Sequence, residues 1–421
     1  MKEEWKPAEL RATSEEIRGA VMPKSITPDM VGGTLLGLVN AVGEVVEVLG
    51  EIPREHVTVK VRGYDGTAGV SGAGATVWLD VFSSKGYPAV SLPRQELTCD
   101  EAGVVEFDIP HGYRYAVFSQ IAGLGASFQF VEVSAIESRT LELWNLPIGV
   151  HALGYCDIGY DGDEDGNGSY YREVPFITTN VSDDYAEYQA EAEWDIDTEK
   201  GEYTDGSSFL GILVSTADTS FVMTPDSLSK ETMVWCKSRD YATYIPTMPY
   251  INNNGTGEAW EDCQNRARAD MDGNMNTAKL LDFCVEPTAA LFCAGSDYMY
   301  TEQRFLPSVG QLYIMWLNRT AINALMTTFN DLGMMSGTFQ LLPYQNDKGS
   351  WQNPNGHYEY WWSSTVYNSI CSWVVYSNGT IRYNDSDTSY DVRAVSEFQQ
   401  KINEQPTRKY DHKLRQSFAC V

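Results

Sequence analysis

Between Tyr360 and Val395 the chain reads YWWSSTVYNSICSWVVYSNGTIRYNDSDTSYDVRAV. The two ends of this stretch are apolar and aromatic. The middle uses a small alphabet: of the fifteen residues from Tyr376 to Tyr390, twelve are Tyr, Ser, Asn, Asp or Thr. No lysine occurs between Lys348 and Lys401, while Trp351, Trp361, Trp362 and Trp373 supply four of the chain's eleven tryptophans. Tyr brings rigid amphipathic area with few rotors, and Ser, Asn and Asp bring adaptable hydrogen bonding. Lys would lose more rotamer entropy for the same contact. Composition alone leaves two readings open: a surface that contacts other molecules, or a polar loop followed by a buried strand.

The whole chain sets bounds. Its 421 residues suggest about three domains of ~150 residues each. With 43% hydrophobic and 21% charged residues it can build real cores. Thirty Lys and Arg stand against 58 Asp and Glu, a net charge of −28. Such a chain is repelled by phosphate, so neither nucleic acid nor an anionic membrane is an expected partner. No apolar run reaches membrane-spanning length, and no apolar segment follows Met1, so neither membrane insertion nor a secretory signal is expected. Five histidines, and eight cysteines without a CxxC pair, offer little for zinc. The irregular cysteine spacing reads as buried thiols rather than a disulfide framework.

Five segments follow, an α+β multidomain chain. Residues 1–52 form an N-terminal helical segment. Thr27-Pro28-Asp29 reads as a helix start, and Leu35, Val39, Val42, Val46 and Leu49 step at heptad spacing. About two heptads cannot hold a lone helix, so it packs on its own chain or on other copies. Residues 53–140 alternate with period two at His56–Val61, Ala75–Val81, Gly103–Asp108 and Arg114–Phe118, with turns between, which predicts an antiparallel β-sandwich. Residues 141–205 are β-like and acidic. There Asp161, Asp163 and Asp165 match the start of a calcium loop, but Arg172 stands where the EF-hand places Glu; a solvated hairpin tip is the other reading. Residues 206–400 open with a strand at Phe209–Val214 and carry four helical patterns. In the first, Trp260, Cys263, Ala267 and Met271 share a face. Residues 401–421 are a basic tail.

Four motifs in order mark the fourth segment: Asp272-Gly273 with Asn276-Thr277, Leu306-Pro307-Ser308-Val309-Gly310-Gln311-Leu312, Trp362-Ser363-Ser364-Thr365-Val366-Tyr367, and Val392-Arg393-Ala394-Val395 with Phe398. They resemble the turn-helix and strand signatures of C-type-lectin-like domains in gut bacterial and phage proteins. More narrowly, the stretch resembles the variable proteins of diversity-generating retroelements, in which adenine mutagenesis scatters Asn codons. Gln311 departs from the family, where Glu is common. Residues 55–140 resemble the β-sandwich (Ig-like) spacer modules of surface and phage adhesins. ITPDMVGGTLLGLVNAVGEVVE at 26–47 and GEIPREHVTVKVRGYDGT at 50–67 make the N-terminal half similar to tail proteins of temperate phages of Bacteroides-type bacteria.

The resemblance implies a receptor-binding protein of a phage tail, placed in the virion tail and made in the host cytoplasm. Its partners would be a bacterial surface ligand, protein or glycan, and other tail proteins. A homotrimer is implied by tail-fibre architecture. The alternative is a bacterial cell-surface adhesin with the same domain. The expected ligand face is Tyr358, Tyr360, Val366, Asn368, Ile370, Cys371, Tyr376, Ser377, Asn378, Thr380, Arg382, Tyr383, Asp385, Ser386, Asp387 and Thr388, the residues alternating with buried anchors and pointing outward. No catalytic residue, cofactor or metal is expected. His357 and Cys371 would make a poor nucleophile pair because nothing orients His357. Asp385 and Asp387 could offer oxygens to calcium, but a metal site cannot depend on positions that vary.

Overall fold

The computed structural model describes residues 54–65, 69–83, 94–110, 114–132, 139–160, 170–178, 181, 203–225, 231–236, 250–253, 257–284, 286–295, 304–335, 337–345, 351–352 and 360–397. The heptad segment, the acidic loop at 161–169, Tyr358, His357 and the basic tail lie outside them.

The period-two stretches form strands, as their alternation demands. β1 (Arg54–Tyr64) pairs with β2 (Gly69–Ser71) and β5 (Val104–Pro110). A second sheet has the order β4-β3-β6-β7, from β3 (Thr76–Ser83), β4 (Gln95–Thr98), β6 (Arg114–Gln120) and β7 (Ser127–Glu132). Val57, Val59 and Val61 point inward on alternate residues of β1 and share one core with Val77, Leu79, Tyr115, Val117 and Val131. Burying each such side chain contributes about 1.5–3 kcal/mol. The turn before β5 is closed by Asp100, whose Oδ1 accepts from the backbone N–H of Ala102 and Val104.

One strand departs from the antiparallel expectation. β8 (Arg139–Asn145) pairs with β1 in parallel, Val57 opposite Arg139 through Gly63 opposite Asn145. The sandwich sheet therefore runs to Asn145, past residue 140. Leu141 and Leu143 supply the reason, since both are buried in the sandwich core.

The segment 141–205 does not stand apart in its hydrogen bonding. β9 (Gly149–Tyr160) pairs with β10 (Tyr170–Thr178) and β11 (Tyr203–Ser215). The sheet continues through β12 (Ser220–Met223) to β21 (Val395–Ser396) and β14 (Arg304–Phe305). Strands on either side of residue 205 thus share one six-stranded sheet.

Five helices among the described residues complete this part: α1 (Trp260–Arg268), α2 (Gly273–Phe283), α3 (Thr288–Ala294), α4 (Val309–Leu317) and α5 (Arg319–Leu332). Short pairs are formed by β13 (Met233–Val234) with β20 (Ser389–Tyr390), and by β15 (Tyr344–Gln345) with β16 (Trp351–Gln352). The polar aromatic stretch makes the three-stranded sheet β17 (Tyr360–Asn368), β18 (Cys371–Tyr376) and β19 (Ile381–Asp385), with β18 central.

Two cores lie against this small sheet. Trp361, Trp373, Val375 and Ile381 join Val309, Leu312, Met315, Phe221 and Phe329. Trp362 and Val374 join Trp235, Leu280, Leu306, Val392 and Ala394. The sandwich is docked on the same body through α2. Ala116 packs on Met275 and Ala278, with Phe118 and Phe128 beside them, and Arg114 pairs with Asp282 at 3.3 Å.

Candidate ligand-binding surface

Three of the four sequence motifs converge on one buried hydrogen-bond network. The Thr365 hydroxyl donates to Asp270 Oδ2 at 2.6 Å, and Asn276 Nδ2 donates to the same oxygen at 3.0 Å. Ser308 Oγ donates to the Asp270 carbonyl at 2.6 Å. The Ser308 side chain also caps α4 in a reciprocal capping box with Gln311. Thr277 Oγ1 donates to the Leu306 carbonyl and accepts from the Leu306 N–H. The Ser364 N–H donates to the Pro307 carbonyl at 2.9 Å. Gln311 accepts from Ser308 N–H through Oε1 and donates from Nε2 to Thr219 Oγ1 at 2.9 Å. A carboxylate at position 311 could only accept, and the Thr219 hydroxyl would then have to be the donor. Arg393 donates to the Gln340 carbonyl at 3.0 Å, and burial pushes its guanidinium down to about 10, with Asp391 opposing the shift. These motifs hold the frame; they are not the surface.

The frame fixes what surrounds it. Cys371, Trp373 and Val375 on β18 sit opposite Asp385, Tyr383 and Ile381 on β19. Ser372 and Val374 sit opposite Asn384 and Arg382 on the other side. Because a core covers each side of β18, no outward sheet face remains. The surface is instead the β19 edge strand and the turns. Arg382, Tyr383 and Asp385 are all exposed, consecutive positions included, and so are Ile370, Asn378 and Asp387. Tyr360, Asn368, Tyr376, Thr380 and Thr388 are half-buried.

Four residues of the expected face are buried: Val366, Cys371, Ser377 and Ser386. Val366 belongs to the core with Trp362, and Cys371 to the core with Trp373. Ser386 Oγ donates to the Ile370 carbonyl at 2.9 Å, which ties the two turns at one end of the sheet together. The Ser377 carbonyl accepts from Trp316 Nε1 at 3.0 Å, anchoring the turn at the other end. The expected residues therefore divide between two ends and one edge rather than covering a face. Tyr360 and Tyr376 pack edge-to-face at 4.0 Å and spend much of their area on each other.

Cys371 has little nucleophilic character. Burial and the neighbouring Asp385 carboxylate, 3.4 Å from Sγ, push its thiol up to about 11. Among the described residues there is no group of three or more His, Cys, Asp or Glu side chains fit to hold a metal ion. No described helix is long and apolar enough to cross a membrane.

No protein-family model matches the chain, and no curated protein matches it either. Solved structures share local similarity only. A putative carbohydrate-binding protein of Pseudomonas aeruginosa is 19% identical over 24% of this chain and 93% of its own, with a TM-score of 0.18. The shaft pilin SpaA of Lactobacillus rhamnosus GG is 13% identical over 30% of this chain and 78% of its own, with a TM-score of 0.18. A DUF3823 family protein of Parabacteroides merdae is 8% identical over 30% of this chain and 81% of its own, again with a TM-score of 0.18.

Beside β19 the structure adds residues that the sequence pattern had assigned elsewhere. Trp260 falls at the helix stripe spacing, yet it opens α1 and is 37% exposed. It stacks on Trp373 at 5.5 Å and meets Tyr383 edge-on at 5.7 Å. Tyr367, part of the fixed strand motif, stacks under Tyr383 at 3.8 Å. Its hydroxyl donates to Asn253 Oδ1 at 3.0 Å. The signal for Trp260 was its place at a helix start, where the first turn is free of the neighbours that bury later turns.

Proposed function

We propose that this chain is a receptor-binding protein whose C-terminal part, a C-type-lectin-like domain, presents the β19 edge and its flanking turns to a bacterial surface ligand. The observation that carries the reading is the division of labour around β19. Tyr383, Arg382 and Asp385 stand exposed on a strand, and Asp387 on the turn after it; the strand's neighbours are locked by buried tryptophans and by the network around Asp270. Arg382, Asp385 and Asp387 can change without touching the core, the requirement for a surface diversified by a retroelement, while Tyr383 rests on Tyr367. The reading carries no catalysis and no metal. It places the protein in the tail of a phage, as a homotrimer joined through residues 28–49, so that several weak sites act together. A bacterial cell-surface adhesin with the same domain is the second reading.

The test is binding of the purified chain to a panel of Bacteroides-type cells, beside a variant carrying Asn378→Ala, Arg382→Ala, Tyr383→Ala and Asp387→Ala. All four positions are exposed. The parent is expected to bind a subset of strains, and the variant to lose binding while it still unfolds cooperatively, at a somewhat lower temperature because the Tyr383 stack and the Asn378 turn bond are gone. Equal binding by both would move the site elsewhere, to the sandwich.

A further inference from the structure

We propose that the corner between Trp260 and Tyr383 is a subsite for a cationic side chain, an arginine or lysine carried by a polypeptide receptor. This inference rests on the receptor-binding reading given above. Trp260 is 37% exposed and Tyr383 42% exposed. Each ring is held from behind by another. Trp260 lies on Trp373 with the planes 18° apart, and Tyr383 lies on Tyr367 with the planes 10° apart. The two exposed rings stand at 72° to one another. Neither can rotate away without losing its stack, so the corner is formed before any ligand arrives. A preformed aromatic wall spares a ligand the ordering cost that a mobile one would impose.

Charge selects the occupant. Asp385 lies two residues from Tyr383 along β19 and on the same side, since their partners Cys371 and Trp373 also alternate in step. Glu261 and Asp262 follow Trp260 in the first turn of α1, and both are exposed. Asp387, in the adjoining turn, is exposed as well. The arginines on these two elements answer other groups or face away. Arg266 is paired with Glu258 at 2.6 Å, Arg268 lies over the Tyr313 ring, and Arg382 sits on the opposite side of β19 from Tyr383.

Aromatic rings attract cations through their quadrupole, and carboxylates beside them add charge-assisted hydrogen bonds. An anionic ligand would meet those carboxylates and the field of a chain with net charge −28. A neutral sugar ring could stack on Tyr383 but would gain no charge attraction from the carboxylates. Guanidinium and ammonium groups satisfy both halves of the corner.

The experiment uses the full chain labelled with 5-fluorotryptophan, with the Trp260 resonance assigned through Trp260→Phe. N-acetyl-arginine amide is the probe; N-acetyl-glycine amide and methyl glucoside are run beside it. The arginine probe is expected to shift the Trp260 resonance, and about 0.5 M NaCl to weaken the effect. Asp385→Asn is expected to weaken it about threefold, and the other two compounds to do nothing. No response to the arginine probe, an equal response to the glucoside, or indifference to Asp385→Asn would overturn the proposal. On cells that the parent binds, Trp260→Ala and Asp385→Asn should each reduce binding. Trypsin treatment of the cells should abolish it, and periodate treatment should leave it intact. If the four-site edge variant loses binding while both single variants keep it, or if periodate alone abolishes it, the cationic subsite is wrong and the receptor reading stands. If the edge variant binds as the parent does, the receptor reading itself fails.

Discussion

The Thr365 hydroxyl donates to the Asp270 carboxylate at 2.6 Å while accepting the Val309 backbone N–H at 2.9 Å, so one side chain joins β17 to the segment before α2 and to the first turn of α4. Three motifs far apart in sequence meet at Asp270: Thr365 and Asn276 on its carboxylate and Ser308 on its carbonyl. Thr365→Val keeps the shape and removes both bonds. It leaves the Val309 N–H buried without its acceptor and withdraws a donor from a buried carboxylate. The expected loss is about 1–3 kcal/mol by chemical denaturation, whereas Thr365→Ser should recover most of it. A Val variant within experimental error of the parent would show that the network does not hold the frame.

Gly379 is a position in the polar aromatic stretch that cannot carry a side chain. Its φ is +80°, and a Cβ there would stand 2.4 Å from the Trp316 ring. Both facts forbid a side chain, one through the backbone and one through space. Gly379→Ala should cost more than about 2 kcal/mol. It should also release the Trp316 indole from the Ser377 carbonyl. Thr380→Ala, beside it, should change stability by less than about 0.5 kcal/mol, and Asn378→Ala should cost about 0.5–1.5 kcal/mol because the Asn378 Oδ1 accepts the Thr380 N–H. A library diversified across 378–380 and sorted for folded protein should return Gly at 379 alone; free variation there would refute the argument.

The sandwich was legible because alternation in β1, β3, β5 and β6 is a local signal, and each inward residue announces its own strand. The parallel pairing of β8 with β1 left no such trace, since register between distant strands is set by packing of Leu141 and Leu143 and not by their neighbours in sequence. The motif residues Ser308, Thr365 and Asn276 were legible as anchors through resemblance, but that they meet at Asp270 is a tertiary fact. The largest difference lies at the candidate surface. Alternation along β18 and β19 suggests one face in and one face out. The structure buries both sides of β18, because Trp373 and Val374, adjacent in sequence, enter different cores. Only the edge strand and turns are left to solvent, which is why Val366, Cys371, Ser377 and Ser386 dropped out and Trp260 came in.

Cys371 should behave as an inert thiol in the native protein. With its proton held up to about 11, only a small fraction is thiolate at neutral pH, and the side chain is buried against Trp373. Iodoacetamide at pH 7.5 should leave it unmodified for as long as the fold persists and label it promptly in denaturant, as read by peptide mass mapping. Cys371→Ser should leave cell binding unchanged. Rapid native labelling would reopen the nucleophile reading.

Tyr367 gives the domain an alkaline limit. Burial and the stacked Tyr383 push its phenol up to about 12, above the ordinary value of about 10. Between those two pH values the unfolded chain has released this proton and the folded chain still holds it. The folded state therefore binds more protons, and stability falls as pH rises. The contribution is complete below about pH 10 and is lost as pH climbs through about 12. Tyr367→Phe removes the group that must ionise. It should lower stability slightly at pH 7 through loss of the bond to Asn253, by about 1 kcal/mol, yet flatten the decline above pH 10. In a difference titration at 295 nm the variant should lack one late-ionising phenol. An alkaline decline as steep in the variant as in the parent would assign that limit to another group and leave the Tyr367–Tyr383 stack without a role in it.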